Sequence, residues 1–348
     1  MPQSSSLTCN ACGALNAPDL SLCEHCHRPL LLSAYLASQI PFQDRYHLIE
    51  KLGAGGSGSV YKASDTQRNH AVVALKEIYL RGTLQAIKEA TDAFHREADL
   101  LSSLAHPSLA RVQERIYKQE LYYLVLDFIE GETLEDYQNK AANNRLPLSE
   151  VFAIGLQLCD VLEYLHTHHP PIIFRDLKPA NIIRSPQGKL FLIDFGIARF
   201  FKPGQSRDTM PLGSLGYAAP EQYGKAQTTP ASDIYSLGAV LHHILTGKDP
   251  SEAPLRVAPL RATSNHDDPG SLTTSMVGIM MNSLALLINS MLALDSHKRP
   301  ASVTLIKQEL HLLATSWSGI VRSYFRPRIP QSSLSKPSTD SASPVTSM

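Results

Sequence analysis

The sequence has no surplus of charge: 32 lysines and arginines are matched by 32 aspartates and glutamates among 348 residues. That balance excludes steering by net charge, so neither a dedicated nucleic-acid binder nor a protein held electrostatically on an anionic membrane is expected. Cysteines number only five, too few for a disulfide scaffold. Charged residues are sparse at 18% while apolar ones reach 43%, which excludes global disorder. The N-terminal MPQSSS lacks a basic segment followed by an apolar run, so no secretory signal is read there. No internal repeat is found.

One stretch lacks charge for long enough to raise a membrane reading, from Pro269 to Leu294. Within it Asn282-Ser283 recurs as Asn289-Ser290, seven residues on, which leaves a polar stripe on one side of a helix. Leu284, Leu287, Ile288, Met291 and Leu292 fill the other side at spacings of three and four. The pattern predicts a buried amphipathic helix of a soluble domain rather than a span.

Four of the five cysteines crowd into the first 26 residues, as Cys9-x-x-Cys12-Gly13 and Cys23-x-x-Cys26 with ten residues between the pairs. Two residues between thiolates let one tight turn aim both sulfurs at a single ion, and Gly13 relaxes the backbone there. Two such turns make a closed tetrahedral site, for which Zn2+ fits best because the ligands are soft and the segment is too small to fold unaided. The spacing resembles the short zinc-ribbon modules common in bacterial proteins. A closed site has no position for substrate, so the expected role is structural or partner-binding. The fifth cysteine, Cys159, reads as a buried helix residue.

Further along, strand-like runs occur at Tyr46 to Leu52, Ser59 to Ser64, Ala71 to Ile78 and Leu121 to Asp127, with a helical segment at about Thr83 to Ser103. Beyond residue 133 the pattern turns helical, and Val151, Gly155, Leu158, Leu162 and Leu165 mark one helix face. At the end, nine of the eighteen residues from Gln331 to Met348 are Ser or Thr. Such a segment buries too little surface to offset the entropy of ordering, and reads as a disordered tail.

Gly53-Ala54-Gly55-Gly56-Ser57-Gly58-Ser59-Val60 gives G-x-G-x-x-G-x-V between two strands. A dinucleotide fold would follow those glycines with a helix. Here a strand follows, which favours a flap over phosphates whose amides approach the oxygens without Cβ interference. Next comes Val73-Ala74-Leu75-Lys76. A lysine in an apolar strand needs an anionic partner, and Glu97 is the candidate, with Glu89 as competitor on the same segment. Phe174-Arg175-Asp176-Leu177-Lys178-Pro179-Ala180-Asn181 and Asp194-Phe195-Gly196 complete the set.

With these residues the chain resembles a eukaryotic-type (Hanks-type) Ser/Thr protein kinase of the kind found in bacteria, over about Tyr46 to Leu313. The resemblance implies an α+β bilobal protein-kinase fold, with a small β-rich N-lobe carrying one helix and a larger helical C-lobe. A zinc-ribbon module at 1–30 precedes it, then a linker at 31–44, a kinase domain at 45–313 and a Ser/Thr/Pro-rich tail at 314–348. It further implies that Gly53, Gly55 and Gly58 cover the ATP phosphates, with Val60 and Ala74 beside them. Lys76, held by Glu97, would contact the α and β phosphates, and Asp176 would be the catalytic base. Lys178 would neutralise charge on the transferred group, and Asn181 and Asp194 would hold Mg2+ or Mn2+. Leu126 stands as gatekeeper, with the backbone of Asp127 and Ile129 at the adenine edge.

In Gly213-Ser214-Leu215-Gly216-Tyr217-Ala218-Ala219-Pro220-Glu221, Ser214 occupies the position of a Ser or Thr that contacts the catalytic Asp and Lys; with Lys178 it favours Ser/Thr acceptors. Asp233 resembles the aspartate that braces the catalytic loop, and Arg299 the partner of Glu221. The family usually has His where Phe174 stands, as a scaffold element that an apolar ring can replace. Retained Arg175 suggests control by activation-loop phosphorylation, with Thr209 first and Ser206 second as phosphosites. Expected partners are protein substrates with Ser/Thr acceptors, a protein contact for the zinc ribbon and a second kinase copy, with no nucleic acid and no membrane. Many bacterial relatives carry a membrane anchor after the kinase; the short polar tail here gives the expectation of a soluble cytoplasmic enzyme. A pseudokinase scaffold and a small-molecule kinase are the competing functions. The presence of Lys76, Asp176, Asn181 and Asp194 speaks against the first, and the Gly-Ser-x-x-Tyr…Pro-Glu segment against the second.

Overall fold

The computed structural model describes the chain between Leu7 and Tyr324, apart from 10–11, 18–19, 21–22, 27–29, 31, 33–35, 37–40, 55–57, 79–83, 119–120, 197, 202–212, 225 and 253–271; residues 1–6 and 325–348 also lie outside the description. Two short strands, β1 (Leu7–Thr8) and β2 (Leu15–Asn16), pair antiparallel beside the cysteines. Then comes a five-stranded antiparallel sheet of β3 (Tyr46–Ala54), β4 (Gly58–Asp65), β5 (Ala71–Ile78), β6 (Val112–Lys118) and β7 (Leu121–Asp127), in the spatial order β3-β4-β5-β7-β6. Helix α1 (Leu84–Ser103) interrupts it after β5. The four strands and the helix expected from the sequence are present. The fifth strand, β6, was not legible: Gln113, Glu114 and Arg115 break its alternation, and its register against β7 shifts between Val112 and Glu114.

The lower part is helical. It contains α2 (Leu134–Asn139), α3 (Leu148–His166), the four-residue α4 (Pro220–Tyr223), α5 (Pro230–Thr246), α6 (Leu272–Met291) and α7 (Val303–Tyr324). The predicted α3 face, Val151 through Leu165, is buried. So are Leu284, Leu287, Ile288 and Met291 of α6, and no helix among the described residues is long and apolar enough to cross a membrane. Cys159 is buried as expected. Lys307 of α7 clasps Asp160 and Glu163 of α3, each at 2.7 Å. Helix α7 runs past Leu313, where the tail was expected to begin. Residues 314–324 are helical because Ala314 and Trp317 continue the apolar face of Leu310 and Leu313 against the core; the rest of the expected tail lies outside the described residues.

The upper sheet is apolar on both faces. Val60, Ala74 and Leu126 point toward a cavity, while Tyr61, Ala63, Val73, Leu75, Tyr123 and Val125 form the opposite face and are almost wholly buried. That second face is covered by Leu32, Leu36 and Phe42, the last with its ring centroid 4.8 Å from that of Tyr123 and tilted by 55°. The stretch expected to be a plain linker therefore supplies a third layer, since a two-sided apolar sheet needs cover on both faces. Phe42→Ala is expected to lower stability by about 3 kcal/mol, read as a drop in the urea midpoint with unchanged m-value.

Candidate active site

A cavity of about 500 Å3 lies between the sheet and the helical lobe. Gly53, Val60, Ala74, Leu126, Asp127 and Ile129 line its upper wall and hinge side, and Asn181 and Asp194 its floor. Gly55 falls outside the described residues. Gly58 is needed for close approach, because a Cβ there would sit 1.9 Å from the Glu77 carbonyl oxygen.

Lys76 points from β5 into the interior, where a lone ammonium could not be sustained. Its Nζ donates to Glu97 Oε1 on α1 at 2.7 Å and to Asp194 Oδ1 at 3.0 Å. Burial alone would lower the lysine's pKa, but the two carboxylates outweigh it and raise the value. Burial likewise opposes the Asp194 charge, and Lys76 reverses that and holds its carboxyl below the usual range. Glu97 is thus a carboxylate on α1 that meets Lys76; the side chain of its competitor Glu89 lies outside the description. Asp194 has φ +64° in the turn before Phe195, whose buried ring meets Phe174 edge-on at 4.9 Å and 73°. Phe174 fills the place expected of it with ring-to-ring packing.

Asp176 is held through both carboxylate oxygens. Ser214 Oγ donates to Oδ1 at 2.7 Å, and Asn181 Nδ2 donates to Oδ2 at 2.8 Å and to the Asp176 carbonyl at 2.9 Å. Lys178 Nζ lies 2.6 Å from Ser214 Oγ and 3.2 Å from Asp176 Oδ2. Below them, fully buried Asp233 accepts the backbone N–H groups of Phe174 at 2.9 Å and Arg175 at 2.8 Å, with His166 Nε2 at 2.8 Å. Arg175 is buried with φ +71°. Thr209 and Ser206 lie outside the described residues. His166 was not singled out from the sequence; its only signal is its place at the last turn of α3. Gln222, whose Nε2 donates to the Arg175 carbonyl at 2.9 Å, was also missed, because one amide beside a Pro-Glu pair carries no pattern.

At the other end of the chain, Cys9 and Cys26 bring their sulfurs to 3.5 Å and Cys12 and Cys23 to 3.6 Å, with all four within 4.8 Å of one another. Metal–sulfur bonds of about 2.3 Å in a tetrahedron place sulfurs about 3.8 Å apart, so the arrangement suits a four-thiolate ion. The turn is closed by Gly13 N–H donating to the Cys9 carbonyl at 2.8 Å. Leu30 packs with Cys9 and Cys23 into a small core.

Lys76 with Glu97 and Asp194, and Asp176 with Asn181, Lys178 and Ser214, form a constellation drawn from Lys76 to Ser214. The model of the protein kinase domain matches residues 46–311. The chain belongs to that family. Among similar curated proteins, the probable serine/threonine-protein kinase PknB of Lactococcus lactis is 34% identical over 218 residues, 62% of this chain and 34% of that protein. The serine/threonine-protein kinase PrkC of Bacillus subtilis is 34% identical over 217 residues, 62% and 32%. PknB of Mycobacterium leprae is 35% identical over 223 residues, 62% and 35%. The chain spans about a third of the length of these relatives.

In this kinase domain Arg299, fully buried, forks onto Glu221 through Nη1 at 2.7 Å and Nη2 at 2.8 Å. Burial alone would raise the Glu221 carboxyl; Arg299, helped by Ser232, holds it below the usual range instead. A depressed folded-state value contributes stability above the unfolded value of about 4.3, lost as pH falls through the folded value. Glu221→Gln is expected to cost about 3–5 kcal/mol at neutral pH. Urea midpoints measured downward from pH 6 should fall less steeply for the variant than for the wild type.

Proposed function

We propose that the chain is a protein kinase that transfers the γ-phosphoryl group of ATP to Ser or Thr hydroxyls of protein substrates. The observation that carries this reading is Asp176, its carboxylate fixed by Asn181, Lys178 and Ser214 on the floor beside the Lys76–Glu97–Asp194 set. Protein kinases use ATP with Mg2+ or Mn2+. The donors present fit such an ion: Asn181 commits its amide nitrogen to Asp176 and keeps an oxygen, and Asp194 offers a carboxylate, a hard oxygen set of the type Mg2+ takes. When bound, the metal offsets phosphate charge.

The chain's own residues do the rest. Asp176 orients the acceptor hydroxyl and takes its proton, and Lys178 balances charge on the moving group. Lys76, kept in place by Glu97, grips phosphate oxygens, while Gly53, Gly55 and Gly58 let backbone close over them. Val60 and Ala74 cover the base from the sheet side, and its edge meets the backbone of Asp127 and Ile129. Phosphorylation at Thr209, or next at Ser206, would recruit Arg175. Cys9, Cys12, Cys23 and Cys26 would hold a structural Zn2+; four free thiols suit a reducing compartment, which supports a cytoplasmic enzyme. A protein contact of the zinc module and a second kinase copy complete the partners, resting on the closed site and on the resemblance.

Transfer of labelled γ-phosphate to the protein itself and to a generic basic protein tests the reading. Asp176→Asn is expected to lower the rate at least about a hundredfold. A wild-type protein that transfers nothing to either would favour the scaffold alternative. For the metal, elemental analysis should find about one zinc per chain in the wild type and less in Cys12→Ser, with a lower melting temperature. Equal zinc in both would remove Cys12 from the ligand set.

A further inference from the structure

We propose that Gln222 is a positioning residue for phosphoryl transfer, holding the peptide that joins Arg175 to Asp176; this rests on the kinase reading above. Gln222 follows Glu221 on α4 and is 3% exposed. Its Oε1 accepts the Ala219 N–H at 2.9 Å, and its Nε2 donates to the Arg175 carbonyl oxygen at 2.9 Å. That carbonyl belongs to the peptide whose nitrogen is Asp176's own, so turning the peptide moves Asp176.

The peptide has a reason to turn. Arg175 is held at φ +71°, a left-handed conformation that a residue with a Cβ keeps only where its surroundings over-determine it. Asp233 fixes the amide side of Arg175 at 2.8 Å. Gln222 fixes the carbonyl side.

The same amide lies against the segment that carries Ser214. A Cβ on Gly213 would stand 2.7 Å from Gln222 Nε2 and 2.6 Å from the Ala218 Cβ, and Gly213 has φ +144°. The next residue, Ser214, donates to Asp176 Oδ1 and meets Lys178. Gln222 therefore touches both the backbone behind Asp176 and the strand of chain whose hydroxyl fixes its carboxylate. No atom of Gln222 has to reach substrate, since displacing a reacting group by about 1 Å is enough to cost about a hundredfold in rate.

Two variants of the full chain separate its bond to Ala219 from its bond to Arg175. Gln222→Met keeps length and volume but neither donates nor accepts. Gln222→Glu keeps the acceptor for Ala219 and loses the donor for Arg175. Steady-state transfer from Mg-ATP to a basic protein should show kcat lowered about tenfold or more in both, with KM for ATP within about twofold of wild type. Amide hydrogen exchange at Arg175 and Asp176 should quicken in both, while the Lys76 strand stays protected. Wild-type kcat and exchange in Gln222→Glu would overturn the proposal, since the Ala219 bond alone would then matter. Loss of folding in both variants would also overturn it, as a purely structural role. Should the wild type itself transfer no phosphate, the kinase reading fails, and the exchange data alone decide whether Gln222 holds the loop.

Discussion

Two oxygens of one buried carboxylate, Asp233 on α5, hold the loop that carries Asp176 from beneath, taking the N–H groups of Phe174 and Arg175 and facing His166. A charge with no exposure survives only where donors replace its lost water, and here those donors are the backbone that leads into Asp176. The helix and the loop thus depend on each other: the loop neutralises the carboxylate, and the carboxylate dictates where the loop runs. Phe174 above it then closes against Phe195, so the turn bearing Asp194 is seated on the same support.

Two largely buried ions, Lys76 and Glu221, are each matched by more than one partner. Lys76 has two carboxylates, and Glu221 has a bidentate guanidinium and the Ser232 hydroxyl. Such pairs add little net stability compared with apolar packing, because desolvation consumes most of the Coulomb gain. What they give is direction. Lys76 connects the sheet, helix α1 and the Asp194 turn, while Glu221 and Arg299 connect the end of the activation segment to the residues beyond α6, so displacement of one element leaves a buried charge unpaired.

Most of the set proposed to carry the chemistry could be picked out of the sequence because phosphoryl transfer demands particular side chains at short fixed spacings: glycines where backbone would near phosphate, an aspartate and an asparagine five residues apart on one loop. The upper strands other than β6 were legible for a related reason, since burial demands short apolar, β-branched and aromatic runs such as those of β5 and β7. Strand β6 escaped because Gln113, Glu114 and Arg115 interrupt its apolar residues and its register against β7 is bulged. Gln222 and His166 escaped because they act through backbone atoms and a single carboxylate, contacts set by the tertiary fold and invisible to spacing. The extension of α7 was written in Leu313, Ala314 and Trp317, but its apolar face reads as such only once the groove that receives it is known.

Leu30 is packed among the cysteines and Leu32 among the strands of the upper lobe, each with no exposed surface. One residue separates them, and two steps along an extended chain span at most about 7 Å. A tether that short has no slack to take up. The cysteine module can pivot but not travel: to move further than that from the upper lobe, it must first pull a leucine from the back of the sheet whose front carries Lys76.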